Sequence, residues 1–281
     1  MTTPLTTISV GQVNKAGLTK NEYRGMISTL CPGCGHNSIA NQIITACYEL
    51  DIVPENVMKF SGIGCSSKSP NYFLNRSFGF NGLHGRMAAL ATGAIFGDTS
   101  VKAIGISGDG DTASIGGNHL LHSIRRNANV TVLCNNNEIY GLTGGQTGPT
   151  TPAGTKTLSS PAGATYSPIN LQGLVNTNPN AFYAKTTVYH QGPMKKAIKE
   201  AIQWPGFAFV DVASQCIENN GRRIGFASAN DMLQSYRTEY KAAPAGATRL
   251  ETHQTGIIKG EPLPVGGPAP AGNGSGHGSG D

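Results

Sequence analysis

Four short apolar runs constrain this chain more than any other feature: VMKFSGIG (57–64), VKAIGIS (101–107), VTVLCN (130–135) and FAFVDVA (207–213). They are rich in β-branched and aromatic residues, too short for buried helices, and each runs into glycine, asparagine or serine. Around and between them lie HNSIANQIITACYEL (36–50), GRMAALATGAIFG (85–97), ASIGGNHLLHSIRR (113–126) and MKKAIKEAI (194–202), with apolar residues at helical spacing or closed by glycine. Strands alternating with helices make βαβ units. The expected fold class is therefore α/β, an open, mostly parallel sheet flanked by helices.

The organisation expected is an N-terminal extension (1–30), an α/β domain (31–240) and a Gly/Pro-rich tail (241–281). The tail ends in PLPVGGPAPAGNGSGHGSGD, a composition that builds no core and is expected to pack on a partner. Charged residues make up only 13% of the chain, against about 25% in an ordinary soluble domain, which points to surface covered by another protein. The net charge is +5, but the basic pairs Arg125–Arg126 and Lys195–Lys196 are isolated, so no nucleic-acid surface is expected. No signal peptide and no run of eighteen apolar residues is present, so a cytoplasmic, membrane-free protein is expected. Six scattered cysteines in such a chain point to metal or catalysis before disulfides.

Open parallel sheets bind ligands in the loops at the carboxyl ends of their strands. The unusual sequence sits there: GCSSKSP, GDGD, NNNEIYGLTGGQ and SQC each follow one of the four strands. In GDGD, Gly108 and Gly110 allow a tight turn whose N–H groups can face phosphate oxygens, and the helix that follows offers its positive end to the same anion. Asp109 is placed to hold a divalent cation, and Asn135, Asn136 and Asn137 close the next strand about 25 residues on, where an amide oxygen can complete the shell. A lone GDG is most simply a strand-to-helix turn. GDG, one helix, one strand and then NN is far more specific, and it resembles the thiamine diphosphate signature.

CPGCGH (31–36) admits three readings by itself: a redox dithiol, half of a zinc site, or part of an iron–sulfur cluster. The wider string chooses. CPGCGH, GIGCSS, LHGR, GDGD with GGNH, NNNEIYGLTGGQ and PTTP, in this order over residues 31 to about 152, resemble the β subunit of 2-oxoacid:ferredoxin oxidoreductases. The resemblance implies thiamine diphosphate, Mg²⁺ and one [4Fe–4S] cluster as cofactors, with coenzyme A as co-substrate. It implies oxidative decarboxylation of a 2-oxoacid to acyl-CoA and CO₂, electrons leaving through the cluster to ferredoxin. The implied Mg²⁺ ligands are Asp109, Asn137 and the carbonyl of Ile139. Gly108, Gly110, Asp111 and the Gly141–Leu142–Thr143 loop would cradle the diphosphate, with Gly64, Cys65, Ser66 and His84 also lining the cofactor.

The cluster needs four thiolates. Cys31 and Cys34 share one turn, and Cys65 lies at a strand end beside the proposed cofactor. Cys47 is 13 residues along the first helix from Cys34, roughly 20 Å away, among apolar positions. Cys134 lies inside a strand. Cys216 follows a strand end in a loop, where the family also places its distant fourth ligand. No second C-x₂-C supports a zinc ribbon.

Thiamine enzymes activate their cofactor with a glutamate on a pyrimidine-binding domain, and no second glycine-rich half is visible here. A larger α subunit is expected to supply it, in an (αβ)₂ heterotetramer. Candidate catalytic residues in this chain are His84, Lys68 and Arg86, the last two as partners for a substrate carboxylate. His119 and His122, three apart on a predicted helix, are assigned to structure. Some relatives carry lysine where this chain has Gly144; a second carboxylate met by Lys68 or Arg86 suits 2-oxoglutarate, with pyruvate the alternative. Two other classes stand beside this reading: a non-redox thiamine decarboxylase or carboligase with structural zinc, and a non-enzymatic electron-transfer subunit.

Overall fold

A computed structural model of the chain describes residues 12 to 263. Its centre is an eight-stranded sheet. The strands in chain order are β1 (Val57–Ser61), β2 (Phe78–Asn81), β3 (Lys102–Gly108), β4 (Val130–Asn136), β5 (Ile139–Tyr140), β6 (Gln146–Thr147), β7 (Phe182–Thr187), β8 (Ala208–Ala213), β9 (Lys241–Ala242) and β10 (Gln254–Lys259). The main sheet runs β2-β1-β3-β4-β8-β7-β10-β9, with β5 and β6 apart as a small hairpin. From β2 to β7 all neighbours are parallel; β10 joins antiparallel to β7.

Among the described residues six α-helices flank the sheet: α1 (His36–Glu49), α2 (Met87–Gly97), α3 (Gly117–Arg125), α4 (Leu171–Val175), α5 (Gln191–Gln203) and α6 (Ala229–Glu239). Ile39, Ile43 and Ile44 of α1 and Ala197, Ile198 and Ala201 of α5 fill one core with Ile104, Ile106, Leu133 and Val210 of the sheet. On the opposite face Met87, Ala91, Leu120, Ile124 and Leu171 pack against Val130, Val132 and Phe209. Strands buried on both faces explain why their sequences are continuous apolar runs rather than alternating ones. Each fully buried Ile or Leu contributes about 1.5–3 kcal/mol, so truncating Ile43 at the α1–α5 contact is the simplest way to loosen this layer.

Helix α1 ends by geometry as well as by sequence. Asp51 adopts φ +54, its N–H donates to the Tyr48 carbonyl, and the Ile52 N–H reaches back to the Cys47 carbonyl. This left-handed closure satisfies carbonyls that the last turn would otherwise leave open.

Several elements differ from the sequence reading. The helix expected over 113–126 is two pieces, a π-helical turn over Gly110–Ile115 and then α3. Strands β2, β5, β6, β7, β9 and β10 and helices α4 and α6 lie outside the elements that the sequence pattern predicts. The tail boundary moves: residues 241–263 contribute β9 and β10 to the sheet, because HQTGIIKG carries a short strand before the proline–glycine composition begins. Residues 264–281 lie outside the described residues, as do 1–11 of the N-terminal extension. The remainder of that extension is tied to the domain, with Tyr23 fully buried and its hydroxyl donating to the Ile52 carbonyl at 2.7 Å. Among the described residues no helix is long and apolar enough to cross a membrane.

Candidate functional site

The four strands whose ends carry unusual loops, β1, β3, β4 and β8, are adjacent in the sheet. Their loops meet at the carboxyl edge. Gly64, Cys65, Ser66, His84, Gly108, Asp109, Gly110, Asp111, Asn137, Ile139, Gly141, Leu142 and Thr143 all line one cavity of about 100 Å³. Ile63 and Tyr140 complete its wall. Tyr140 is the reason Gly110 must be glycine: a Cβ there would stand 2.3 Å from the ring.

One corner of the cavity is built of oxygen. Asn137 Oδ1 lies 2.7 Å from the Ile139 carbonyl oxygen and 3.1 Å from Asp109 Oδ1. For Mg²⁺ ligands at 2.0–2.1 Å, adjacent octahedral oxygens stand about 2.9 Å apart. Three acceptors at this spacing repel one another unless a cation sits among them or the amide turns over. Turned over, the Asn137 nitrogen donates to both oxygens, which is the better arrangement for the chain alone. Asp109 is 1% exposed, and burial pushes its carboxyl up to about 6 against the opposing hydrogen bond from Thr150. Thr150 Oγ1 stands 2.8 Å from both Asp109 Oδ2 and Asn136 Oδ1, and its single proton serves one at a time. Asn136 passes the chain on to Asp211 at 3.0 Å. Of the three asparagines that close β4 and the loop after it, only Asn137, the one implied as a cation ligand, lines the cavity; Asn135 is fully buried in the sheet.

Asp111 is bound on every side. Its Oδ1 accepts from the Gly85 N–H at 2.6 Å and the Ile63 N–H at 3.1 Å, and faces His84 Nδ1 at 2.5 Å. Ser107 Oγ donates to Oδ2. The carboxylate therefore locks the loops after β1 and before α2 and orients His84, whose ring lies edge-on to Tyr140.

A second cavity, of about 140 Å³, is lined by Cys31, Cys34, Cys65 and Cys216 together with His36, Asn137, Gly141 and Leu142. The two cavities share Cys65, Asn137, Gly141 and Leu142 as a common wall. Gly141 keeps that wall thin: a Cβ there would stand 3.4 Å from Cys216 Sγ and 3.9 Å from Cys65 Sγ. Burial pushes Cys34 up to about 12, and nearby Cys216, Cys65 and Cys31 add to the rise. Burial and then its cysteine neighbours raise Cys65, with Lys68 opposing. Burial also raises Cys216, against backbone N–H groups of its own turn. Thiols that raise one another's proton affinity become thiolates together only around positive charge, so the donor set fits an iron–sulfur cluster. Among the described residues no three His, Cys, Asp or Glu side chains converge on a single ion. The four thiols surround a space instead.

The other two cysteines lie elsewhere. Cys47 and Cys134 are fully buried in the two cores, where burial pushes Cys47 up to about 12. Lys68 and Arg86 are exposed and line neither cavity; Arg86 Nη1 reaches the His84 carbonyl at 3.4 Å. His119 and His122 lie on α3, outside both cavities.

Lys59 is not among the residues that the sequence assigns to the site, although a lone lysine inside an apolar strand is a visible signal. It is 5% exposed, and its ammonium donates to the carbonyls of Pro70, Phe73 and Leu74 at 2.7, 2.8 and 3.0 Å. It thereby pins the loop that begins at Cys65. Burial pulls it down to about 8.

Comparison with known proteins gives a consistent picture. A family profile described as thiamine pyrophosphate enzyme, C-terminal TPP binding domain, matches residues 62–212. The chain is 42% identical over 192 residues to 2-oxoglutarate synthase subunit KorB of Methanocaldococcus jannaschii, covering 68% of this chain and 70% of that one. It is 40% identical over 232 residues to 2-oxoacid:ferredoxin oxidoreductase 2, subunit beta, of Aeropyrum pernix, covering 78% and 74%. A solved 2-oxoglutarate:ferredoxin oxidoreductase from Magnetococcus marinus, with 2-oxoglutarate, coenzyme A and succinyl-CoA bound, superposes with a TM-score of 0.79 at 30% identity, covering 88% of this chain and 86% of that one.

Proposed function

This chain belongs to the β subunits of the 2-oxoacid:ferredoxin oxidoreductases, and from that premise we propose that it binds the diphosphate half of thiamine diphosphate beside a [4Fe–4S] cluster, within an enzyme oxidising 2-oxoglutarate to succinyl-CoA and CO₂. The observation that carries this reading is the shared wall: Cys65, Asn137, Gly141 and Leu142 border both cavities. A redox cofactor and an electron acceptor placed so close need no mobile carrier between them.

Asp109, Asn137 and the Ile139 carbonyl would hold Mg²⁺, and the turn at Gly108–Gly110 would receive the diphosphate. Thiamine diphosphate, when bound, supplies the electron sink for decarboxylation. The chain's own task is positioning. Asp111 accepts a hydrogen bond from the Nδ1–H of His84, which leaves the Nε2 lone pair free to accept a proton at the edge of the cavity. Cys31, Cys34, Cys65 and Cys216 would hold the cluster.

A larger α subunit completes the site. Ile63 and Leu142 line the cofactor cavity yet remain exposed, at 42% and 53%, and Leu83 nearby is 78% exposed. An apolar rim around a polar cavity fits a protein partner that closes it to water and brings the activating glutamate. The proposed assembly is an (αβ)₂ heterotetramer in the cytoplasm, with ferredoxin as electron acceptor. 2-Oxoglutarate is favoured over pyruvate by the names of several relatives and by the solved neighbour.

The test is a 2-oxoacid panel on the anaerobically co-purified complex, with coenzyme A and a one-electron acceptor. Acceptor reduction with 2-oxoglutarate well above that with pyruvate supports the assignment. Reduction with neither substrate, or bound zinc in place of iron, overturns it.

A further inference from the structure

The two segments carrying distant cysteines, 31–36 and 214–216, are stitched together more closely than ligand placement alone explains. The Gly35 N–H donates to the Gln215 carbonyl at 3.1 Å, and Gln215 Nε2 donates to the Gly33 carbonyl at 3.2 Å. A Cβ at Gly35 would stand 2.5 Å from Ser214 Oγ, so glycine is what lets the segments touch. Where they touch sits one imidazole. His36 is 1% exposed, lines the cysteine cavity, and pairs Nδ1 with Ser214 Oγ at 2.8 Å.

A neutral imidazole carries one N–H, and the partner of one ring nitrogen decides which nitrogen bears it. The Ser214 hydroxyl can donate to Nδ1, which puts the proton on Nε2. That nitrogen has no hydrogen-bond partner among the described residues, and the ring lines the cavity that Cys31, Cys34, Cys65 and Cys216 also line.

We infer that His36, held by Ser214 in its Nε2–H form, donates a hydrogen bond to a sulfur of the iron–sulfur cluster and raises the cluster's reduction potential. The inference rests on the four-cysteine cluster proposed above and goes beyond it. Hydrogen bonds to cluster sulfur favour the reduced, more negative state, so a donor moves the potential upward. In functional terms, His36 makes the cluster a more willing acceptor of the electron leaving the adjoining cavity. It is a positioning and tuning residue, with no part in bond making.

The test uses the anaerobic complex with its partner subunit. With histidine labelled by ¹⁵N, pulsed EPR of the reduced cluster is expected to show an imidazole nitrogen coupling that His36→Phe removes. A redox titration followed by EPR is expected to place His36→Phe below wild type, with about 59 mV for each tenfold change in the reduced-to-oxidised ratio. His36→Gln, which restores an N–H donor, is expected to recover part of the difference. Should His36→Phe fail to load iron, the wild-type coupling still decides. A loaded cluster with no imidazole coupling, or with the same potential in all three proteins, overturns the inference and leaves the cluster standing. A complex without iron removes the cluster proposal itself, and this inference with it.

Discussion

His84 Nδ1 stands 2.5 Å from Asp111 Oδ1, and the same oxygen accepts the backbone N–H groups of Gly85 and Ile63. A single buried carboxylate thus sets both the loop geometry and the tautomer of the one histidine in the cofactor cavity. Asp111→Asn replaces one acceptor oxygen by a donor that faces other donors. The expected result is a fall in kcat of about 100-fold with KM little changed, as for loss of a general acid–base group. Steady-state kinetics at saturating coenzyme A reads it, and thiamine content should persist.

Thr150 touches the cation corner without entering it, through Asp109 Oδ2 and Asn136 Oδ1. Thr150→Val keeps the volume and removes the hydroxyl. Magnesium affinity is expected to fall about 10- to 100-fold, the usual effect of losing an outer-shell partner. Activity recovered as magnesium is added back after chelation measures it.

Lys59 is the buried ion whose partners are all carbonyls. Lys59→Met leaves the carbonyls of Pro70, Phe73 and Leu74 without their donor and is expected to cost about 3 kcal/mol in unfolding free energy. The sign with pH follows from burial. The folded chain holds this proton with a pKa of about 8, below the usual 10.5, so the unfolded chain binds more protons between those values. Stability contributed by this residue therefore rises with pH across that window. Denaturant titrations from pH 8 to 10.5 should show the rise in wild type and not in Lys59→Met.

Cys216 lies 151 residues from Cys65 in sequence, yet both sulfurs flank Gly141. Cys216→Ser is expected to strip most iron from the complex. Cys47→Ala should retain iron and lose about 1 kcal/mol of stability as a small core cavity. Iron analysis with thermal unfolding separates the two roles.

The site was more legible in the sequence than the sheet that carries it. A parallel sheet gathers polar loops at its carboxyl edge, so GCSSKSP, GDGD, NNNEIYGLTGGQ and SQC read as one neighbourhood from the chain alone. Strand β7, FYAKTT, does not read as a continuous apolar run because Lys185 and the buried Thr186 and Thr187 are polar. Strand β2, FGFN, is short, exposed and interrupted by glycine at the sheet edge. Thr150, Ser214 and three of the four donors on Asp111 (those of Ile63, His84 and Gly85) are pairings between segments far apart in the chain, and periodicity carries no trace of them. The π-helical turn that begins at Gly110, within GDGD, is likewise invisible, since it runs without a break in pattern into α3.

The proposed function requires that a thiamine cofactor and a cluster in the two adjoining cavities exchange electrons directly. Rapid-freeze EPR of the anaerobic complex mixed with 2-oxoglutarate tests it most directly. A reduced-cluster signal is expected to appear on mixing in wild type and to fail to appear in Cys216→Ser. Substrate consumed by the wild-type complex with no cluster signal at any time would contradict it.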